Sequence, residues 1–159
     1  MNLKDVAKLI GLILVCQLAG IIGSIFTFSA IPTWYAALTK PWFNPPSFIF
    51  APVWILLYTL MGISLYIVLK KGLENRDVKL ATLFFGAQLS LNAIWSIIFF
   101  GLHNIFLALI EIVILWVVLL FTIIKFYKIS KNAAYLLIPY FLWGTFATVL
   151  TLSIWLLNP

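Results

Sequence analysis

Five stretches of this sequence, about residues 6–28, 50–69, 80–100, 105–126 and 133–156, are almost continuously apolar. Each is about as long as the roughly 20 residues a helix needs to cross a bilayer. That leaves few folds open. Inside hydrocarbon every backbone N–H and C=O needs an internal partner, so only α-helices and closed barrels span it. Barrel strands alternate apolar and polar residues, and these runs do not. The reading is an all-α integral membrane bundle of five transmembrane helices, one domain over residues 1–159 with no soluble module attached. Composition agrees: 9% of the residues are charged, where a soluble domain has about 25%.

An odd number of spans puts the two ends of the chain on opposite sides of the bilayer. Nine of the ten basic residues (Lys4, Lys8, Lys70, Lys71, Arg76, Lys79, Lys125, Lys128 and Lys131) fall on the side of the N-terminus, and Lys40 alone falls on the other. Basic residues collect on the cytoplasmic side. The expectation is therefore a multi-pass protein of the plasma membrane, N-terminus inside, first loop and C-terminus outside. The net charge of +6 sits in short loops beside apolar runs, which argues against a nucleic-acid partner. Lys4 and Lys8 precede the first run and no small-residue cleavage site follows it, so it reads as a retained helix. With Cys16 as the single cysteine, neither an intrachain disulfide nor a cysteine metal site is possible.

The loop between the first two runs, 29–49, is the most constrained part of the chain. From Trp34 to Trp54 lie four of the seven prolines and three of the seven tryptophans, together with Lys40. Proline lacks an N–H and fixes φ, so the segment is not one continuous helix. It is too aromatic for a loose linker and reads as a stiff, partly buried loop over one end of the bundle, with Trp54 carried into the next helix. Lys40 either meets ligand carboxylates at the cavity mouth or snorkels to the headgroups.

Polar residues in spans are costly and usually face the bundle interior. At 100° per residue, Gln88, Asn92, Trp95, Ser96 and Phe99 share one stripe of span three. Such a stripe suits either a mainly apolar ligand cavity or a packing seam with interhelical hydrogen bonds. In span five Tyr140, Trp143, Gly144, Ala147 and Thr151 share a face, as do Trp54, Tyr58, Met61 and Leu65 in span two. Three helices thus offer aromatics beneath the aromatic loop, where a flat ligand would fit; an interfacial aromatic belt accounts for others, Trp155 among them. Ala19/Gly23 and Gly20/Ser24 in span one allow close helix approach, within the bundle in preference to between two copies. Glu111, the one carboxylate deep in a span, reads as a hydrogen-bonded structural residue. His103, in a turn, does not supply the axial ligands of a membrane cytochrome. Four acidic residues and one histidine exclude most hydrolytic chemistry by supply. Leu60, Tyr66 and Lys70 fit a loose sterol pattern that is common by chance.

The residues Trp34-Tyr35, Lys40-Pro41, Pro45-Pro46, Phe50-Ala51-Pro52-Val53-Trp54, Leu91-Asn92, Trp95-Ser96 and Pro139-Tyr140 with Trp143 and Phe146-Ala147-Thr148 resemble the translocator protein family, also called tryptophan-rich sensory proteins or peripheral-type benzodiazepine receptors. The likeness covers nearly the whole chain. It departs at Phe43, where the family usually has tryptophan, and at Thr151, where it often has asparagine. Animal members carry a tyrosine and a basic residue beyond that point as a sterol motif; both are missing here, so sterol binding is not carried over.

The resemblance implies a five-helix bundle, commonly a homodimer, with a cavity under the first loop that takes porphyrin, haem or other flat aromatic ligands, and with no resident cofactor required. The residues matching the family's pocket are Tyr35, Pro45, Trp54, Asn92, Trp95, Ser96, Phe99, Trp143 and Ala147. Some bacterial members also degrade protoporphyrin in light, and Trp54 and Trp143 match the tryptophans of that activity. Three functions follow: a tetrapyrrole receptor, sensor or carrier; a light-dependent porphyrin-degrading enzyme; and a scaffold whose aromatic seams only pack.

Overall fold

The computed structural model describes residues 2–159. Five helices, α1 (Leu3–Ala30), α2 (Ser47–Leu69), α3 (Arg76–Ser96), α4 (Ile105–Ile129) and α5 (Lys131–Leu157), account for the five apolar runs, and each is long and apolar enough to cross a membrane. The protein is an integral, multi-pass membrane protein. Four helices start on a polar side chain that accepts a backbone N–H of the first turn: Asn2 from Asp5, Asn75 from Asp77, Asn104 from Leu107 and Ser130 from Ala133. These caps satisfy donors that have no partner within the helix. α2 starts instead behind Pro46, with Pro52 in its second turn.

Two helix ends depart from α geometry, and one changes the expected loop. α1 continues as a π-helical segment, Ile31–Tyr35, so the chain stays helical past Phe28 and the loop expected over 29–49 shortens to about 36–46. Pro32 is the cause. Its ring would clash with the carbonyl four residues back in a regular helix, and the wider π turn removes the clash. Thr33 Oγ1 donates to the Ser29 carbonyl (2.7 Å) within the same turn. The second π segment, Ile97–Gly101, ends α3 with the Leu102 N–H on the Ile97 carbonyl (2.9 Å). His103 then turns the chain with φ 54°, and its ring stacks on Trp34, centroids 4.5 Å apart.

The helices form a closed ring. α1 packs on α2 and α3, α4 on α3 and α5, and α2 closes against α5. At the basic end the core is dense: Cys16, Met61, Phe85, Leu119, Phe126, Leu137 and Tyr140 are buried together, and Phe85 and Phe126 stack 5.8 Å apart. α1 and α2 approach closely at Gly62, where an added Cβ would lie 2.6 Å from Ile13 Cα. At the loop end a second cluster joins Tyr35, Phe99, Ala108, Leu150 and Ile154. The outward faces carry exposed apolar side chains such as Leu18, Ile25, Leu83 and Leu142, as a lipid-facing surface requires.

Candidate functional site

Between the two clusters lies a cavity of about 430 Å³ to which all five helices contribute. Its position follows from residue size. Gly20 and Gly23 leave α1 without side chains where Tyr58 and Ser96 come in from α2 and α3: a Cβ at Gly20 would strike the Tyr58 ring, and one at Gly23 would lie 2.8 Å from Ser96 Oγ. Gly144 and Ala147 keep the α5 wall flat, and nothing lies within 4 Å of a Cβ built at Gly144. Gly20 and Gly23 are therefore taken up inside the bundle, while Ser24 is exposed.

The walls are indoles and phenyl rings. Trp54 meets Trp143 edge to face, centroids 6.5 Å apart at 88°, and stacks on Tyr58 at 5.4 Å. Trp95 lies parallel to Phe99 at 4.9 Å, and Trp143 packs on Phe146 at 5.4 Å. The floor is polar. Tyr58 donates its hydroxyl to Asn92 Oδ1, and Asn92 Nδ2 donates to the Tyr140 hydroxyl (2.9 Å). Asn92 thus ties α2, α3 and α5 at one level. Toward α1 and α2 the cavity wall includes Ile21 and Ile55, both more than half exposed, so it opens to the lipid-facing surface there. Below that gap Gln17 bridges the two helices, donating to the Ile55 carbonyl (3.0 Å) and to Thr59 Oγ1 (3.1 Å).

Eight of the nine residues expected at the site line this cavity: Tyr35, Trp54, Asn92, Trp95, Ser96, Phe99, Trp143 and Ala147. Pro45 does not. It precedes Pro46, the residue that opens α2, and its carbonyl accepts from Asn44 Nδ2 (3.2 Å). Gln88 shares the stripe yet sits beneath the floor, fully buried, with both amide atoms unpaired by protein. Lys40, in the first loop, is partly buried. Its ammonium donates to the carbonyls of Tyr35 (2.8 Å), Ala36 (3.2 Å) and Leu38 (2.8 Å), closing the end of the first helix. Glu111 faces inward but has no hydrogen-bond partner in the protein, unlike the bonded structural glutamate expected. Tyr66 of the sterol pattern is buried.

The sequence reading missed Gln17, Ile112 and Leu115. Gln17 is the one amide of the first span, a signal that was present. Ile112 and Leu115 bring α4 to the cavity, and nothing distinguishes them from other aliphatic residues there. The lining contains no Asp, Glu, His, Lys, Arg or Cys. No cluster of metal-ligating side chains occurs among the described residues. The arrangement can enclose and stack on a flat apolar molecule, with the hydroxyls of Tyr35, Tyr58 and Tyr140 as its only ionisable groups among the described residues.

Sequence comparison agrees with this architecture. The family model described as TspO/MBR family matches residues 12–156. The chain is 44% identical to a tryptophan-rich protein TspO of Archaeoglobus fulgidus over 154 residues, covering 97% of this chain and 99% of that one. It is 36% identical to protein CrtK of Rhodobacter capsulatus, covering 91% and 88%. The translocator protein of Homo sapiens is likewise 36% identical, covering 91% and 86%.

Proposed function

The chain belongs to the TspO/MBR family, and on that premise we propose that it is a membrane receptor, sensor or carrier for porphyrin, haem or similar flat aromatic ligands. The observation that carries the reading is the set of three tryptophans, Trp54, Trp95 and Trp143, on three helices around one cavity with an amide and hydroxyl floor. Aromatic walls with a few placed polar groups are the usual makeup of a small-molecule site. The gap between α1 and α2 suits a ligand that partitions into the bilayer. The reading includes the plasma membrane with the basic end cytoplasmic, which the distribution of nine of ten basic residues supports. It also includes a homodimer, whose interface does not rest on Gly20 and Gly23, since Tyr58 and Ser96 cover them.

The edge-to-face pair Trp54–Trp143 favours a second reading, light-dependent porphyrin breakdown, in which bound porphyrin is photosensitiser and substrate and these indoles supply electrons or a radical. One experiment separates the two. Protoporphyrin absorption is recorded with purified protein in the dark and under illumination, for wild type and Trp143→Phe. A dark shift at stoichiometric protein supports binding. Bleaching with wild type alone moves the enzyme reading first. No shift would remove the tetrapyrrole reading and leave the scaffold.

A further inference from the structure

Asn158 follows the last turn of α5 and reaches across to the first loop. Its Oδ1 accepts the Thr39 N–H (3.0 Å), and its Nδ2 donates to the Thr39 carbonyl (2.9 Å) and to the Ile154 carbonyl (2.7 Å). One amide thus satisfies both backbone groups of a loop residue while bound to its own helix. The other ties of the loop are local. Lys40 caps carbonyls of its own segment, and the Tyr35 hydroxyl, at the cavity wall, donates to Asn44 Oδ1 (2.6 Å). Among the described residues, the two Thr39–Asn158 bonds are the only hydrogen bonds from residues 36–46 to a helix that does not adjoin the loop in sequence. Between the ties Trp42 is 95% exposed, while Leu38 and Phe43 pack on the loop-end cluster, Phe43 meeting Phe146 of the cavity wall edge-on with centroids 6.2 Å apart.

We propose that Asn158 is the latch of a lid formed by residues 38–46, and that it sets how fast ligands exchange with the cavity. A loop whose only polar tie to the far side of the bundle is one side chain swings open from that side on losing that side chain's two bonds, hinged at the Tyr35–Asn44 bond. Opening then lifts Leu38 and Phe43 from the loop-end cluster without separating one helix from another. The ligand part rests on the binding function proposed above; the latch itself does not.

Amide hydrogen exchange of the full chain in lipid nanodiscs tests the latch without a ligand. In Asn158→Ala, residues 38–46 should exchange about tenfold to a hundredfold faster, as expected for two ordinary hydrogen bonds lost. Asn158→Asp, which keeps the acceptor for Thr39 N–H and loses both donors, should fall between. The amides of α2 and α5 should not change. Unaltered protection in the loop, or loss spread through all helices, overturns the latch. Stopped-flow mixing with protoporphyrin IX tests the gate: association and dissociation should accelerate together in Asn158→Ala, with affinity within about twofold of wild type. Unchanged rates with a released loop would place exchange at the α1–α2 gap and overturn the gating role. If protoporphyrin does not bind wild-type protein, the binding reading fails, while hydrogen exchange still decides the latch.

Discussion

Tyr58 on α2 donates its hydroxyl proton to Asn92 on α3, and Asn92 passes the connection on to Tyr140 on α5. All three residues are buried. Removing one partner of a buried hydrogen bond leaves the other to carry its desolvation cost, about 1–3 kcal/mol. Tyr58→Phe is therefore expected to destabilise the bundle by about 1–3 kcal/mol, because Asn92 Oδ1 then has no donor. Asn92→Leu strands two hydroxyls and should cost at least as much. The two changes share a bond, so the double variant should cost less than the sum. Denaturant unfolding in a single detergent measures all three; strict additivity would mean that the bond contributes nothing.

Glu111 buries both carboxyl oxygens without a protein partner. Replacing an unsatisfied buried polar group by an apolar one of similar volume is often neutral or stabilising. Glu111→Leu should raise stability by about 1–3 kcal/mol, read as a higher unfolding midpoint in the same detergent. A clear loss would show that the carboxyl makes a bond in the membrane that the protein atoms alone do not supply.

Gly62 marks a close approach of α1 and α2. A methyl group there meets Ile13 Cα at 2.6 Å and Ile13 N at 2.8 Å. These are backbone atoms, so no rotamer change relieves the contact and α1 itself has to shift. The overpacking cost is about 1–3 kcal/mol and outweighs the gain in helix propensity, about 1 kcal/mol. Gly62→Ala should lower the unfolding midpoint; a rise would mean that the two helices separate freely.

The periodicity of the helix made much of this site legible. Asn92, Trp95, Ser96 and Phe99 share a stripe in the sequence and share the cavity in the structure, because 100° per residue is set by the backbone alone. Depth is not set that way. Gln88 belongs to the same stripe but lies one turn below Asn92, beneath the floor, and only the packing of α2 and α5 defines where the floor is. The contacts of Pro45 and Lys40 were not legible for a related reason. Their surroundings depend on the path of a loop with no period, shortened by a π segment that Pro32 imposes. The walls from Ile112 and Leu115 were unreadable because an aliphatic residue facing a cavity looks like one facing a neighbour.

Gly144 separates occupancy of the cavity from stability of the fold. It lies in mid-helix on the cavity wall, and a Cβ there meets nothing within 4 Å. Gly144→Ala should therefore leave the bundle intact and gain up to about 1 kcal/mol from helix propensity, the opposite of the same change at Gly62. Gly144→Leu should keep the fold as well, since its side chain enters space that no atom occupies. That space lies beside Trp143, where a flat ligand would stack, so the leucine variant should bind protoporphyrin at least tenfold more weakly, a loss of about 1.4 kcal/mol, while the alanine variant binds nearly as wild type. Tryptophan fluorescence quenching by protoporphyrin, with unfolding midpoints recorded on the same samples, reads both quantities. Equal binding by the leucine variant and wild type would show that the ligand does not use this cavity.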